Sequence, residues 1–364
     1  MSICAVDLFC GAGGLTYGLQ EAGIDVRAGF DIEPECEYPY VANNDDVDFV
    51  NADLAEDHHT ATIREYLTGD ADYTMIAGCA PCQPFSSMSN GNKNRKDSHE
   101  KWGLMGDFAD IVSEVEPDLV TMENVPEAQN ADPYGEFRNT LSELGYVVSD
   151  ELVDCPEYGV PQQRKRLVLV ASKHGHIELI EPTHDPDEVT VQSQLEEHDL
   201  AELEAGETSD VDFLHNARGL SDTNLERIRH SEPGGTWESW PERLLLECHK
   251  KESGRKYVSM YGRMEWDSPA PTITTQFYNY GSGRFGHPEE DRAISVREGA
   301  LLQTFPENYE FVESLDHLSI VSVGKLIGNA VPPRLGEVVG KSVRKHVHNE
   351  GHQRRLATSQ MPAE

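Results

Sequence analysis

The sequence predicts a mixed, mostly parallel doubly wound α/β sheet with a second, smaller, loop-rich domain set into the chain. Three observations carry that prediction. Over residues 1–172 short apolar runs alternate with helical patterns, as strand–helix–strand units of a parallel sheet do. Over residues 218–285 the alternation stops and the chain turns rich in Gly, Trp, Tyr and Arg. From His287 onward apolar periodicity resumes.

The strand candidates are Ile3–Phe9, Val26–Phe30, Tyr73–Ala77, Asp118–Met122, Tyr146–Leu152 and Leu167–Ala171. Most are short apolar runs, as the strands of a parallel α/β sheet are. Between them the apolar spacing changes to three and four, which predicts helices over Gly14–Ala22, Ala61–Leu67, Phe108–Val115 and Glu136–Leu144. From His174 to Ala217 there are 13 carboxylates and no Lys or Arg, so this stretch reads as a solvated boundary or a surface helix. From Arg218 to Phe285 ten basic residues face nine acidic ones, the balance of a recognition domain rather than of this chain as a whole. Val321–Gly340 reads as a turn leading into a closing helix, and the tail after Val347 as polar and frayed.

The 364 residues hold 65 Asp+Glu against 30 Lys+Arg, a formal net charge of −35, and the basic residues divide into 19 Arg and 11 Lys. Such acidity suits either a salt-rich cytoplasm, where charge is screened within about 3 Å at 1 M salt, or a basic partner. The acids run along almost the whole chain, which favours the salt-rich, halophilic setting. Taken alone, this charge argues against nucleic acid as a partner. Seven scattered cysteines do not form a disulfide framework and fit a reduced compartment. No apolar run approaches the roughly 18 residues of a membrane span, and Met1–Asp7 carries no basic leader, so a soluble cytoplasmic protein is expected.

Four short constellations can carry chemistry. Asp7-Leu8-Phe9-Cys10-Gly11-Ala12-Gly13-Gly14-Leu15 is a glycine-rich turn between a strand and a helix. Glycines there let a ligand approach the backbone at a helix N-terminus. Asp31, closing the next strand, suits ribose hydroxyls, and Asp53 suits an adenine amine. Because Thr16 stands where the dinucleotide fingerprint has its third glycine, the pattern fits a nucleoside cofactor or a structural tight turn. Gly78-Cys79-Ala80-Pro81-Cys82-Gln83-Pro84-Phe85-Ser86 follows an apolar strand and leaves three readings open: a redox pair, half a zinc site, or a single nucleophile. Met122-Glu123-Asn124-Val125-Pro126 offers a carboxyl at a strand end, either a proton donor or an ordinary loop acid. In Gln162-Gln163-Arg164-Lys165-Arg166, Arg164 and Arg166 share a face if the run is one strand, and two guanidiniums suit phosphate or carboxylate. A solvated charge run is the alternative.

Together these blocks resemble the DNA (cytosine-5-)-methyltransferase family. Asp7–Leu15 is similar to its cofactor motif and Gly78–Ser86 to its nucleophile motif. Glu123-Asn124-Val125, Gln162–Arg166, Arg292–Pro306 and Gly324–Pro333 are similar to its remaining main blocks, in the family's order. The resemblance covers roughly residues 1–172 and 286–340 and leaves between them the window in which the family keeps its target-recognition domain.

The resemblance implies a class I S-adenosylmethionine-dependent methyltransferase fold. It divides the chain into a catalytic and cofactor-binding domain over 1–175, a target-recognition domain with acidic linker over 176–290, a hinge and return over 291–346, and a polar tail over 347–364. It implies transfer of a methyl group from S-adenosylmethionine to carbon 5 of a flipped-out cytosine in a specific DNA sequence. Cys82 would add to carbon 6, Glu123 would hold ring nitrogen 3 and the amino group, Arg164 the carbonyl oxygen, and Arg166 would support Glu123. The cofactor residues it implies are Phe9, Gly11, Gly13, Gly14, Asp31, Asp53, Leu54, Pro81, Leu104, Asn329, Ala330 and Val331, with Ile32 standing where family structures often carry an aromatic. Ser86, Ser89, Lys93, Arg95 and Lys96, in a segment similar to the family's catalytic loop, and Thr272 are the implied DNA contacts. Double-stranded DNA is the expected partner, with a cognate restriction endonuclease in the same system; no metal and no membrane are expected, and the chain is expected to be a monomer. An RNA cytosine-5 methyltransferase of the same fold, a thiol oxidoreductase and a catalytically inert DNA-binding module are the competing readings. The Cys-Phe-Thr signature of the RNA subgroup is absent from the sequence.

Overall fold

In the computed structural model the described residues are 1–56, 59–81, 95–251 and 258–359, with backbone alone for 95–102 and 352–359. In chain order the elements are β1 (Ile3–Leu8), α1 (Gly14–Glu21), β2 (Asp25–Asp31), α2 (Glu37–Asn43), β3 (Asp48–Asn51), α3 (Thr60–Leu67), β4 (Tyr73–Gly78), α4 (Arg95–Val115), β5 (Leu119–Asn124), α5 (Asp132–Glu143) and β6 (Val147–Asp154). There follow β7 (Gln162–Gln163), β8 (Lys165–Ser172), α6 (Val191–Leu195), α7 (Asp222–Arg229), β9 (Ala270–Pro271), α8 (Val296–Leu302), α9 (Ile320–Asn329) and α10 (Pro333–Ser359). The chain divides into two units. The first comprises Met1–Asp154, Lys165–Glu181 and Val331–Glu364, the second Cys155–Arg164 and Pro182–Ala330.

The first unit is built on a seven-stranded sheet of order β3-β2-β1-β4-β5-β8-β6. All neighbours run parallel except β8, which is antiparallel to both β5 and β6. The strands β1 and β5 are buried at every residue, which is why Ile3–Val6 and, Thr121 apart, Leu119–Met122 read as apolar runs. After β1 the chain builds outward to β2 and β3, then returns to add β4 and β5 on the other side. The strand order therefore reverses between β1 and β4, and at such a switch point the carboxyl ends of the strands leave a crevice for a ligand. The helix α10 packs on α1 at Gly18, where a Cβ would overlap the Pro333 carbonyl and the Glu337 backbone.

The six expected strands and four expected helices of residues 1–172 are all present, with ends shifted by a few residues. Three differences stand out. The four-residue edge strand β3 was not expected; it carries Asp48 and Asn51 at its ends and has no fully buried residue. The helix α4 begins at Arg95 rather than near Phe108, because its first two turns are polar and give no apolar period. The closing region is two helices, α9 and α10, and α10 continues to Ser359, well past the point where fraying was expected. No helix among the described residues is long and apolar enough to cross a membrane.

The second unit has little regular structure. The strands β7 and β9 pair over two residues each, and α6 to α9 span at most ten. An aromatic core of Ile228, Trp237, Trp240, Leu244, Tyr280 and Ala293 holds part of it. Buried guanidiniums do much of the rest. Arg263, 5% exposed, donates to the carbonyls of Ile228 (3.2 Å), Ser231 (2.8 Å), His287 (2.9 Å) and Glu290 (2.5 Å). Arg297 pairs with Asp212 at 2.6 Å and donates to the Tyr309 carbonyl at 3.2 Å. Loop carbonyls that no helix or sheet satisfies need a donor when buried, and a guanidinium offers five in one plane. The excess of Arg over Lys in the composition has this structural use.

Candidate active site and cofactor loop

The carboxyl ends of β1, β2, β4 and β5 lie side by side and carry the glycine loop, Asp31, the Gly78–Ser86 segment and Glu123 in turn. At the end of β1 the backbone turns sharply: Phe9 has φ 58°, Gly11 φ 53° and Gly13 φ 89°. Left-handed backbone is strained for Phe and natural for Gly, so the loop holds a shape that most sequences would not adopt. A Cβ on Gly11 would meet no heavy atom within 4 Å, so open space lies beside the loop. The Gly11 N–H donates to Oδ2 of Asp31 at 2.9 Å, and the Glu33 N–H donates to Oδ1 at 2.9 Å. The ribose-type acid is thereby locked against the glycine loop. Next to it Ile32 is 58% exposed, an aliphatic surface beside the acid.

Beneath the loop, Asp7 is 1% exposed and accepts a 2.8 Å hydrogen bond from the Thr16 hydroxyl, which in turn meets the Tyr40 hydroxyl at 2.8 Å. Burial pushes the Asp7 carboxyl up to about 7, an effect that the Thr16 hydrogen bond reduces and the nearby Asp31 charge increases. Thr16, read from sequence as a missing glycine, thus ties β1 to α1. Cys10 is buried, and desolvation holds its thiol well above the ordinary value, which disfavours the thiolate.

At the end of β5, Glu123 is 6% exposed. Its Oε1 lies 2.8 Å from Nε of Arg166, an ion pair in contact though not aligned as a hydrogen bond. Its Oε2 accepts the Cys79 thiol at 3.0 Å. The antiparallel pairing of β5 with β8 sets Val168 opposite Glu123, and Arg166, two residues before Val168 on the same face of β8, lies diagonally across from Glu123. Asn124, 1% exposed, donates from Nδ2 to the Ala80 carbonyl at 3.0 Å. The Cys79 N–H donates to the Leu8 carbonyl at 3.2 Å. The segment Cys79–Pro81 is therefore pinned from both sides as it leads up to residue 82.

Cys82, Ser86, Ser89 and Lys93 lie outside the described residues, and of Arg95 and Lys96 only the helical backbone is described. Among the implied cofactor residues, Phe9, Gly11, Gly13, Gly14, Asp31, Asp53, Leu54, Pro81 and Leu104 belong to the first unit, and the Ala52 N–H bonded to the Asp31 carbonyl (2.9 Å) brings the Asp53 turn to the same edge. Phe108, one turn beyond Leu104, packs edge-on to Phe9 at 6.3 Å. Asn329 and Ala330 close the second unit, and Val331 opens the return to the first.

Arg164 departs from the expected shared strand face with Arg166. It falls in the gap between β7 and β8, where pairing passes from Ala270–Pro271 to β6, and it belongs to the second unit. It is 3% exposed and donates to the carbonyls of Ile273 (3.4 Å) and Ala330 (3.3 Å). Thr272 donates to the Gln163 carbonyl at 2.7 Å. Gln162 and Gln303, neither of them singled out in the sequence, complete this knot: Gln162 Nε2 reaches Gln303 Oε1 at 2.6 Å, and Gln303 Nε2 reaches the Ala330 carbonyl at 2.6 Å. Both lie in the quoted blocks, but nothing in their spacing distinguishes a knot from a surface amide.

Two further features of the second unit bear on function. His287, Glu290 and Glu298 bring donor atoms within 4.8 Å of one another, the spacing of a metal site. The Arg292 guanidinium already fills it, 2.9 Å from Glu290 and 2.7 Å from Glu298. Elsewhere a cavity of about 430 Å³ is lined by Arg218, Gln276, Tyr278, Asn279 and their neighbours, and no carboxylate lines it among the described residues. Arg218 is held there by Asn279 Oδ1 at 2.6 Å and by the Tyr278 face at 5.6 Å.

The model of the family described as C-5 cytosine-specific DNA methylase matches residues 3–345. The chain is 47% identical over 357 residues to the Type II methylase M.HgiDII of Herpetosiphon aurantiacus, covering 96% of this chain and 98% of that one. It is 30% identical over 356 residues to the Type II methyltransferase M1.HphI of Haemophilus parahaemolyticus, covering 96% and 89%. Among solved structures, a prophage-encoded DNA modification methyltransferase from E. coli superposes with TM-score 0.70 at 22% identity, covering 95% of this chain and all of that one. The S. pombe Dnmt2 methyltransferase superposes with TM-score 0.57 at 17% identity over 94% and 97%. At those identities the two structures speak for the fold alone.

Proposed function

The chain belongs to the family of C-5 cytosine-specific DNA methylases, and from that membership we propose how its residues divide the work of a sequence-specific DNA (cytosine-5-)-methyltransferase. The observation that carries the assignment is the buried Glu123 carboxyl, oriented by Arg166 at the strand edge where Gly78-Cys79-Ala80-Pro81 leads to Cys82.

Cys82 is the nucleophile. Carbon 5 of cytosine is a poor nucleophile until a thiolate bonds to carbon 6 and drives the electrons of the 5,6 double bond onto the ring. Glu123 holds ring nitrogen 3 and the amino group, so that protonation at nitrogen 3 absorbs this charge. Arg166 keeps the carboxyl in place, and Arg164 serves the carbonyl oxygen. Once carbon 5 carries the methyl group, loss of its proton and departure of the Cys82 thiolate restore the double bond. The cytosine has to be flipped out of the duplex for carbon 6 to be reached.

S-adenosylmethionine, the methyl donor general to the family, supplies the methyl group. The residues present fit such a molecule: the open space beside Gly11, the turned Phe9 loop and the pre-ordered Asp31 are what a nucleoside with an amino-acid tail requires. Phe9, Gly11, Gly13 and Gly14 would line its tail, Asp31 its ribose, and Asp53, Leu54, Pro81 and Leu104 its base and sulfur; Asn329, Ala330 and Val331 complete the set that the family resemblance implies. Ile32, exposed beside Asp31, offers an aliphatic shelf.

The second unit carries target recognition. The near-neutral window 218–285 and the carboxylate-free Arg218 cavity support this, because a chain of net charge −35 has to clear acids from any surface that meets phosphate and base edges. Thr272 and the segment from Ser86 to Lys96 would contact the backbone. The Type II names of the relatives support a partnership with a restriction endonuclease. Its acidity supports work at high salt, where binding leans on base contacts and shape.

Duplexes carrying 5-fluorocytosine test this assignment, since fluorine cannot leave carbon 5 as a proton and the adduct is trapped. One detergent-stable conjugate, mapped to Cys82 and absent in Cys82→Ser, is expected in the presence of the methyl donor. No conjugate, or one on another cysteine, contradicts it.

A further inference from the structure

We propose that Cys79 is a positioning residue for the Glu123 carboxyl, clamping the oxygen that Arg166 leaves free. The proposal rests on the reading of Glu123 given above.

A glutamate at a strand end is hard to orient, because its terminal torsion is broad and nearly two-fold. An ion pair at one oxygen fixes that oxygen but leaves the carboxyl plane free to swing about it. Here the two oxygens are held by different elements. Arg166, from the start of β8, meets Oε1 at 2.8 Å, and Cys79, from the end of β4, meets Oε2 at 3.0 Å. With Glu123 itself at the end of β5, three adjacent strand ends meet on one carboxyl.

The placement of Cys79 is not left to a loop. Its N–H is bonded to the Leu8 carbonyl, and at the preceding Gly78 a Cβ would press on that same carbonyl and on the Phe108 ring. The sulfur is thus delivered by the sheet, as the Arg166 guanidinium is. The thiol also has the right strength for the task. It donates weakly, so an incoming amino group can compete for the same oxygen without paying for a strong bond already made.

The contact works in the other direction as well. The nucleophilic form of cysteine is the thiolate. To reach it, Cys79 would have to give up its hydrogen bond and place negative charge 3.0 Å from the carboxylate oxygen. The Cys-x-x-Cys spacing suggests two equivalent thiols; the Glu123 contact makes them inequivalent and withholds Cys79 from nucleophilic attack and from redox exchange.

The test uses the full-length enzyme with Cys79→Ala, Cys79→Ser and Glu123→Gln. Single-turnover methyl transfer, duplex affinity and iodoacetamide labelling of Cys79, mapped by mass spectrometry, are measured on each. Cys79→Ala should slow methyl transfer by about tenfold, the scale of a misdirected catalytic group, with duplex affinity held within about twofold. Cys79→Ser, which restores a donor, should recover most of the rate. Labelling of Cys79 should rise in Glu123→Gln. An unchanged rate in Cys79→Ala overturns the proposal, as does Cys79→Ser performing no better than Cys79→Ala, which would mark a purely steric role. Equal labelling of Cys79 with and without the Glu123 charge overturns it too. Should Glu123→Gln keep full activity, the role assigned to Glu123 fails, while the labelling still reports whether the two side chains are linked.

Discussion

Asn124 reaches from the end of β5 to the carbonyl of Ala80, 3.0 Å away, and so ties the strand that carries Glu123 to the segment that leads to Cys82. Its own Oδ1 accepts the N–H of Val125 at 2.9 Å, which fixes the amide in the orientation that the tether needs. In the proposed mechanism Cys82 and Glu123 act on the same cytosine, and this hydrogen bond couples the two segments that carry them.

Removing the tether should cost both stability and rate. Asn124→Ala leaves the Ala80 carbonyl without its side-chain donor, a loss of about 1–3 kcal/mol, and frees the segment before Cys82. Urea unfolding and initial rates of methyl transfer check this. Asn124→Asp, which keeps size but removes the donor, should behave like the alanine variant.

Arg166 and Glu123 are 12% and 7% exposed in their side chains, so either alone would be a charge with little access to water. Arg166→Met should destabilise the protein by about 3–5 kcal/mol and abolish methyl transfer. Combining it with Glu123→Gln should recover much of the stability and none of the activity. Urea midpoints and single-turnover assays on the three variants separate the two effects.

Asp7 makes stability fall as pH rises. Its carboxyl, near 3.8 when unfolded, is pushed to about 7 by burial in the fold, so the folded state holds a proton that the unfolded chain has lost. That contribution is complete below pH 4 and is lost as pH rises through 7. Asp7→Asn removes it. The urea midpoint of the variant relative to the parent should therefore increase between pH 5 and pH 8, and a constant difference would show that Asp7 does not titrate in this window.

Glu298 behaves in the opposite sense. Burial acts to raise its carboxyl, but the Arg292 guanidinium 2.7 Å away outweighs burial and holds it well below the ordinary value. A lowered folded value means stability that is present in full above about pH 4.5 and lost only as pH falls far below it. Glu298→Ala leaves Arg292, 1% exposed, as a buried charge with half its pairing, at a cost of about 3–5 kcal/mol. Thermal melts from pH 4 to pH 7 should show a nearly constant deficit in the variant, narrowing only in stronger acid.

The central strands are legible because both their faces are covered, which makes Ile3–Val6 in β1 and Leu119, Val120 and Met122 in β5 apolar before each strand reaches its polar end. The strand β3 was not, since an edge position lets Asp48 and Asn51 stand where a central strand would need Val or Ile. In the second unit order comes from Arg263, Arg292 and Arg297 reaching carbonyls and acids, which leaves no period in the sequence to follow. At the site, Glu123 could be read as an acid after an apolar strand, and equally as a loop acid. What separates the two is contact with Arg166 and Cys79, set by strand order rather than by spacing. The pairing of Arg164 with Arg166 on one face looked sound from alternation alone. It fails because the chain changes partner strand, and unit, between them.

The most direct test of the central claim is bisulfite sequencing of DNA from a methylation-free host expressing this protein, beside a Cys82→Ser control. Protection of cytosine confined to one short sequence, and absent in the control, is the predicted result, and it reads out the recognition sequence as well. Protection that persists in Cys82→Ser, or none in the host together with no methyl transfer to duplex DNA at high KCl, would contradict the account.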